Sequence, residues 1–220
     1  MRALVIGALG GIGHAVTEAL AARGAELCGL SRRADGLDLR DEASVAAALM
    51  DLDGTFDLIF VATGALELDG RGPEKSLRHV DADALSAQFA LNAIGPILVL
   101  KHALRLMPRD RRAVFVALSA RVGSIGDNRA GGWYGYRAAK AALNQFLRTA
   151  AVEVARTHPQ AVVAALHPGT VETPLTERYR GRQPARTTSE AAASLLAVID
   201  GLGPEQTGGF FDWQGAAVPW

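Results

Sequence analysis

The sequence predicts an α/β fold in which a mostly parallel, seven-stranded sheet carries helices on both faces. Short apolar runs alternate along the chain with amphipathic segments of helical period. The runs are continuously apolar, as in strands whose two faces are both buried. Because crossovers between parallel strands are right-handed, this alternation gives a doubly wound sheet of the Rossmann type. The 220 residues contain no repeat, low-complexity tract or linker, so we expect one domain over residues 1–220.

The first half of the chain supplies four of the strands. Glycines follow the first strand, and Gly24 is well placed to end the first helix. Acidic residues favour a helix beginning at Asp41. The link from Ser31 to Asp38 is too short for a helix, so we expect an open surface there. The expected strands are Arg2–Ile6, Ala25–Leu30, Gly36–Leu39 and Asp57–Ala62, and the expected helices are Ile12–Arg23 and Asp41–Met50.

The second half continues the alternation with three strands and three helices. Gly95-Pro96 lies inside the longest helical pattern, where we expect a bend. The polar segment 175–184 is predicted to be a lid over a substrate, with a passive surface loop as the alternative. The expected strands are Ala113–Leu118, Ala161–Leu166 and Gly209–Asp212, and the expected helices are Asp83–Met107, Trp133–Thr157 and Ser189–Leu202.

Composition excludes several classes of protein and partner. Lys+Arg and Asp+Glu both number 23, whereas a protein that neutralises many phosphates usually has a basic excess, so no nucleic-acid partner is expected. No apolar run approaches the ~20 residues of a membrane span, and Ala3–Ile6 is too short for a signal peptide. We therefore expect a cytoplasmic protein without membrane contact. Cys28 is the only cysteine, so no internal disulfide or cysteine-rich zinc site is expected, and no other metal site is predicted.

A glycine-rich turn connects the first strand to the first helix. Glycines there permit a tight turn and let backbone N–H groups approach a pyrophosphate, while the helix dipole favours the negative charge. A turn without a ligand is the alternative, but the position between an N-terminal strand and a helix favours a dinucleotide. The predicted binding turn comprises Gly7, Leu9, Gly10, Gly11, Ile12 and Gly13.

The end of the second strand indicates which dinucleotide is bound. An acidic residue there would bind a ribose 2′-hydroxyl, but Ser31 stands in its place and is followed by Arg32 and Arg33. Guanidinium groups pair well with phosphate, so this pattern favours NADPH over NADH. Two solvated loop arginines are the alternative.

A tyrosine and a lysine lie four residues apart on a predicted helix. Tyr136 and Lys140 therefore share one face of that helix. A nearby ammonium would favour the phenolate and lower the tyrosine pKa, so the pair could protonate a carbonyl oxygen. Tyr134 is a rival by proximity, but Ala138 stands four residues after it, so we interpret Tyr134 as pocket wall or core.

Taken together, the motifs resemble those of the short-chain dehydrogenases/reductases over essentially the whole chain. The matching residues are Gly7-x-x-x-Gly11-x-Gly13, Asn92, Tyr136-x-x-x-Lys140 and Pro168-Gly169-Thr-Val171-Glu-Thr173-Pro174. A narrower likeness, to the C-factor-like and sniffer-type carbonyl reductase branch, rests on Leu118-Ser119-Ala-Arg-Val-Gly-Ser124, Gly131-Gly-Trp-Tyr134-Gly-Tyr136-Arg and the ending Gly208 to Trp220.

The resemblance implies a role for each matching residue. It makes Tyr136 the general acid in reduction, and Lys140 the residue that binds the nicotinamide ribose and lowers the tyrosine pKa. Asn92 would hold a water of the proton relay. The other implied cofactor residues are Asp38 and Leu39 at the adenine, Ala62, Thr63 and Gly64 beside the adenosine, and Pro168, Gly169, Val171 and Thr173 at the nicotinamide. Asn92 as an ordinary helical residue, Asp38 as a turn residue and Pro168-Gly169 as a simple strand-ending turn are the alternatives.

The chain departs from the family pattern at its catalytic serine. The family has this serine as the second of two at the end of the fifth strand, where this chain reads Ser119-Ala120. Because side chains alternate along a strand, Ser119 reaches a substrate only if the strand end bends. We favour Ser119 as the catalytic serine, with Ser124 as the alternative, although either could be a structural hydroxyl. His167, beside the Pro168-Gly169 turn, is interpreted as structural.

Two functions follow from the resemblance. The first is an NADPH-dependent oxidoreductase that reduces a small ketone or aldehyde, or runs the reverse alcohol oxidation. The second is a dinucleotide-binding regulatory or signalling protein with little turnover, which the alanine at position 120 favours. The alanine-rich helix from Trp133 and the apolar helix from Asp83 resemble the family's subunit interface, so a homodimer or homotetramer is expected. The substrate itself is not identified by the sequence.

Overall fold

A computed structural model describes residues 1–179 and 184–220 of the chain, and the predicted lid therefore lies partly outside the described residues. All the strands belong to one parallel sheet in the order β2-β1-β3-β4-β5-β6. The order reverses beside β1, which is where a ligand crevice opens in such sheets. The strands are β1 (Arg2–Ile6), β2 (Glu26–Leu30), β3 (Leu58–Val61), β4 (Ala113–Leu118), β5 (Ala161–His167) and β6 (Phe210–Asp212).

Helices cover both faces of this sheet, as predicted. The α-helices are α1 (Gly11–Ala22), α2 (Arg32–Asp35), α3 (Glu42–Met50), α4 (Ala82–Phe89), α5 (Gly95–Ala103), α6 (Tyr134–Val154) and α7 (Thr188–Gly201). Single 3₁₀ turns occur at Leu77–His79, Leu104–Leu106, Arg121–Gly123 and Pro204–Gln206. Consecutive strand residues alternate between two apolar cores, one under α3, α5 and α6 and one under α1 and α7.

The region after β2 differs from the prediction. The strand expected at Gly36–Leu39 is wrong: this segment is irregular, and Leu37 and Leu39 are buried in the core instead. The expectation that no helix fits before Asp38 is also wrong, because the single turn α2 forms there. The Ser31 hydroxyl accepts a hydrogen bond from the Ala34 N–H and thereby caps α2. The described sheet consequently has six strands, with β2 at its edge.

The long helix predicted from Asp83 to Met107 is a composite. A π-helical turn at Ala90–Ile94 joins α4 to α5, immediately before the Gly95-Pro96 step where a bend was expected. Pro96 has no N–H, so the carbonyl of Asn92 cannot receive its α-helical hydrogen bond. π-turns of this kind frequently occur at functional sites.

The same stretch is the one described helix that meets the length and composition criteria for crossing a membrane. It covers Ala82–Leu106, 25 residues with a mean hydropathy of 1.4 in its most apolar window, of which 39% is buried in the fold. The sequence analysis did not predict this stretch as a candidate membrane span. Core helices of folded proteins meet the same criteria, and here α4 packs on α6 while α5 packs on α3.

Candidate active site

A cavity of about 740 Å³ opens at the carboxyl ends of the parallel strands. Segments that directly follow β1, β3, β4 and β5 contribute to its wall, and the N-terminal half of α6 forms one side. Of the residues predicted from the sequence, it is lined by Gly10, Gly11, Ile12, Ala62, Thr63, Gly64, Ser119, Tyr136, Lys140, Pro168, Gly169, Val171 and Thr173. Ligand crevices at this edge are general in open α/β sheets.

The glycine turn has the backbone that a phosphate-binding loop needs. Gly7 adopts a positive φ of 87°, and a Cβ added at Gly13 would overlap the Gly7 carbonyl oxygen. A Cβ at Gly11 would stand 2.9 Å from the methyl group of Thr173, across the cavity. Side chains at these positions would therefore close the space in front of the helix.

The start of α1 offers unused hydrogen-bond donors to that space. Among the described residues, the N–H groups of Gly11, Ile12 and Gly13 find no backbone acceptor, while the His14 N–H donates to the Gly10 carbonyl and begins the helix. The hydroxyl of Thr63, on the opposite wall, is buried without a partner in the described part of the chain. These donors and the helix dipole fit the pyrophosphate of a dinucleotide.

Of the residues predicted at the adenosine end, Ala62, Thr63 and Gly64 line the cavity, whereas the five that follow β2 lie apart from its wall: Ser31, Arg32, Arg33, Asp38 and Leu39. Ser31 caps α2, and neither Arg32 nor Arg33, both exposed, forms an ion pair within residues 1–179 and 184–220. The carboxylate of Asp38 accepts two hydrogen bonds from the Arg40 guanidinium, at 3.2 and 3.0 Å. These bonds hold the pKa of Asp38 below its usual value. The Leu39 side chain is core, so only its backbone can face a cofactor.

Tyr136 and Lys140 both line the cavity from α6. Tyr136 is 8% exposed, whereas the rival Tyr134 is 38% exposed and lies outside the cavity wall. The Lys140 Nζ donates a 2.8 Å hydrogen bond to the Leu118 carbonyl and lies 5.7 Å from the centre of the Tyr136 ring. The structure therefore brings together the pair that the helical spacing predicts.

Burial shifts the ionisation of this pair in the direction opposite to the one predicted. It raises the pKa of Tyr136 above its ordinary value, and it lowers the pKa of Lys140 to about 7. The expected lowering of the tyrosine pKa by a nearby ammonium is therefore wrong for the protein by itself. A phenol with a raised pKa is fully protonated at neutral pH, and it is a weaker acid than an ordinary tyrosine.

Asn92 is fully buried in the π-turn, and both ends of its side-chain amide are hydrogen-bonded. Its Oδ1 accepts from the Ala65 N–H at 3.1 Å, and its Nδ2 donates to the Ala65 carbonyl and to Gln88 Oε1. Gln88 in turn donates to the Leu66 carbonyl. This network fixes the segment after β3 against α4. The Asn92 side chain thus has a structural role, and its part in holding the relay water stays a prediction.

The predicted catalytic serines have other partners. The Ser119 hydroxyl donates to Asn144 Oδ1 at 2.6 Å, beneath α6, and the Ser124 hydroxyl accepts from the Asp127 N–H. Ser119 also lines the cavity, on the α6 side of the sheet, but its hydroxyl is engaged by Asn144. Ala120 lines the cavity where the family's serine is expected. Both serine hydroxyls therefore form hydrogen bonds within the fold.

Other side chains support the site. Glu74 accepts a hydrogen bond from the Gly135 N–H and holds the first turn of α6; it was not predicted, because no local sequence pattern identifies this loop carboxylate. Trp133 packs edge-on against Tyr136 and Tyr179, with ring centres 6.3 and 5.6 Å apart. Tyr179 also donates to Glu67. Leu175, Thr176 and Tyr179, from the segment predicted as a lid, also line the cavity. The remaining lining residues are Leu66, Leu118, Arg121, Val122, Ala130, Arg137, His167, Thr170 and Pro174.

Comparison with known proteins places this arrangement in a family. The family model described as short chain dehydrogenase matches residues 1–184. The 1-hydroxy-2-glutathionyl-2-methyl-3-butene dehydrogenase of Rhodococcus sp. strain AD45 is 32% identical, over 99% of this chain and 98% of that protein. The C-signal protein of Myxococcus xanthus is 35% identical, over 66% of this chain and 84% of that protein.

Solved structures agree with the sequence relatives. The carbonyl reductase Sniffer of D. melanogaster superposes with a TM-score of 0.82 at 21% identity, covering 100% of this chain and 99% of that one. A short-chain dehydrogenase/reductase of Burkholderia multivorans, solved with bound NADP, superposes with a TM-score of 0.81 at 25% identity and the same coverage. With its glycine turn, tyrosine and lysine in one cavity, the chain belongs to the short chain dehydrogenase family.

Proposed function

We propose that this protein is an NADPH-dependent oxidoreductase that reduces a small ketone or aldehyde to an alcohol, or runs the reverse reaction. One observation carries the proposal: Tyr136 and Lys140 line the same cavity as the glycine turn. An acid and a dinucleotide cradle around one enclosed space are what carbonyl reduction requires. The Rhodococcus dehydrogenase, similar over nearly the whole chain, supports oxidoreductase chemistry.

The cavity fits NADPH at several points. The unused N–H groups of α1 would hold the pyrophosphate, and Arg32 and Arg33, without ion-pair partners in the described chain, would hold the 2′-phosphate. The buried Thr63 hydroxyl would gain a hydrogen-bond partner from the bound cofactor. Bound NADPH would supply a hydride to the carbonyl carbon. The B. multivorans structure, which contains NADP, supports the same cofactor here.

Tyr136 would donate its phenolic proton to the carbonyl oxygen of the substrate. Its raised pKa keeps that proton in place at neutral pH. Lys140 would remain beneath the tyrosine, positioned by the Leu118 carbonyl, and would contact the nicotinamide ribose. The Asn92 backbone carbonyl, which Pro96 deprives of an α-helical donor, would hold a relay water.

A second candidate is a dinucleotide-binding regulatory protein with little turnover. The observation that favours it is Ala120, which leaves the cavity without the serine hydroxyl expected at the end of β4. Similarity to the C-signal protein of M. xanthus is in keeping with such a role. In this function the protein binds NADPH in the cavity, and the bound protein acts as the signal that NADPH is present.

We also propose that the protein assembles as a homodimer or homotetramer in the cytoplasm. Phe146 and Val152 are exposed apolar residues on α6, and Ile94 is 41% exposed on the adjoining π-turn. Apolar side chains on one pair of helices suit a symmetric interface. Sedimentation at several concentrations would separate a dimer or tetramer from a monomer.

The test of function is NADPH consumption by the purified protein with a panel of aldehydes, ketones and quinones. Tyr136→Phe removes the proton donor and keeps the ring, so turnover should fall by at least 10²-fold. Tyr134→Phe, two residues away and outside the cavity, is the matched control and should keep its rate. Tight NADPH binding without turnover of any carbonyl would favour the regulatory candidate.

A further inference from the structure

The cavity lacks one hydrogen-bond donor that carbonyl reduction uses. In the transition state negative charge develops on the substrate oxygen, and a fixed donor aimed at it is worth several kcal/mol. Tyr136 supplies one donor, but the serine position is Ala120, and the Ser119 hydroxyl points beneath α6 to Asn144. Ser124 is buried, bonds the Asp127 backbone and lies outside the cavity wall. Another group must therefore supply the second hydrogen bond if the cavity is to reduce a carbonyl efficiently.

His167 lies beside the end of β4, in the same cavity wall as Ala120. Strands β4 and β5 pair in parallel with Leu118 opposite Leu166, and the Ser119 N–H donates to the Leu166 carbonyl at 2.8 Å. The next residue of β5, His167, therefore lies beside Ser119, the residue before Ala120. Because side chains alternate along a strand, the His167 side chain lies on the same face of the sheet as Ala165, under α6, the helix that carries Tyr136. His167 lines the cavity.

The His167 imidazole forms no hydrogen bond within the described part of the chain. Neither ring nitrogen hydrogen-bonds any residue within 1–179 and 184–220, and Nδ1 is buried without a partner. Burial, with the nearby Arg121 guanidinium, lowers the pKa of His167 to about 4, and Asp212 opposes this shift. The ring is therefore neutral at physiological pH and carries one N–H donor, as a neutral imidazole must. Neutral histidine acts as an electrophile of this kind in other enzymes.

We propose that the His167 imidazole donates the hydrogen bond to the substrate carbonyl oxygen that the missing serine hydroxyl would have made. The inference rests on the proposed reductase function and replaces the structural interpretation of His167. Tyr136 remains the proton donor, so His167 stays neutral throughout and transfers no proton. The substrate is accordingly a carbonyl whose oxygen lies between α6 and the end of β5.

The test compares His167→Ala with a rescue variant. Replacing the imidazole should lower kcat/KM for the best carbonyl of the panel by about 10²–10³-fold, the usual effect of removing one such donor. NADPH affinity should be unchanged. Adding Ala120→Ser in the same protein restores the family's hydroxyl and should recover at least tenfold of the loss. The exposed His79→Ala is the matched control, and thermal unfolding confirms that each variant is folded.

The outcomes separate this inference from the proposed function. If Tyr136→Phe is inactive while His167→Ala keeps its rate within threefold, the role of His167 is wrong and the reductase stands. A loss in His167→Ala that Ala120→Ser leaves unrecovered assigns His167 to packing and also overturns the inference. A wild-type protein that reduces no carbonyl overturns both.

Nuclear magnetic resonance provides a readout independent of turnover. Long-range ¹H–¹⁵N spectra should show the His167 ring neutral from pH 6 to 8, because its pKa is about 4. Addition of NADP⁺ and the alcohol product should shift the resonance of the protonated ring nitrogen. Addition of NADP⁺ alone should cause only a small part of that shift. A cationic ring at pH 7, or no response to the alcohol, would contradict the proposal.

Discussion

Replacing Lys140 with methionine should stabilise the protein while it inactivates the enzyme. Burial lowers the Lys140 pKa from 10.5 to about 7. At about 1.36 kcal/mol per pKa unit, holding the ammonium in place below pH 7 costs roughly 5 kcal/mol. Methionine removes this cost but leaves the Leu118 carbonyl without its donor, which costs about 1–3 kcal/mol. We therefore expect Lys140→Met to gain about 2–4 kcal/mol at pH 6.

The gain should depend on pH in a defined way. Between pH 7 and 10.5 the unfolded chain binds the lysine proton more tightly than the folded chain, so wild-type stability rises with pH across this window. The advantage of Lys140→Met should shrink over the same range and vanish by about pH 10. Urea unfolding of both proteins at pH 6, 8 and 10 measures it. A variant that is less stable than wild type at pH 6, or a stability difference that does not change with pH, would show that the buried Lys140 ammonium does not destabilise the fold.

Three further predictions concern the cofactor cradle and the serine. Gly13→Ala should abolish NADPH binding measured by calorimetry, because its Cβ overlaps a backbone oxygen, whereas Gly201→Ala, with nothing within 4 Å, should bind normally. Arg32→Ala with Arg33→Ala should raise the Kd for NADPH by about 10–10²-fold, as expected for lost charged hydrogen bonds, and leave NADH unaffected; equal losses for both would contradict a 2′-phosphate site. Ser119→Ala should keep kcat/KM within twofold and lose about 1 kcal/mol of stability by urea unfolding, and a large kinetic loss would restore Ser119 as catalytic.

Much of the fold and the cradle could be predicted because local chemistry dictates them. The glycines after β1 have few other uses between a strand and a helix, and Gly7 indeed takes the positive φ that such a turn needs. The spacing of Tyr136 and Lys140 on a helix placed both on one face. Continuous apolar runs correctly predicted parallel strands covered on both sides.

Other features depend on long-range packing and escaped prediction. Leu37 and Leu39 follow the alternating apolar pattern of a strand. Their side chains instead pack in the core beneath α5, and no strand forms. The pKa shifts at Tyr136 and Lys140 follow from burial, which spacing along a helix cannot report. His167 acquires its position only when β5 pairs with β4.

The most direct test of the central claim follows deuterium from the cofactor. The protein is incubated with NADPH that carries deuterium at both C4 positions of the nicotinamide and with the carbonyl that it consumes fastest, and the alcohol is analysed by mass spectrometry. One deuterium is expected at the carbinol carbon, in a reaction that Tyr136→Phe suppresses. An alcohol without deuterium, or NADPH that binds and is never oxidised, would contradict it.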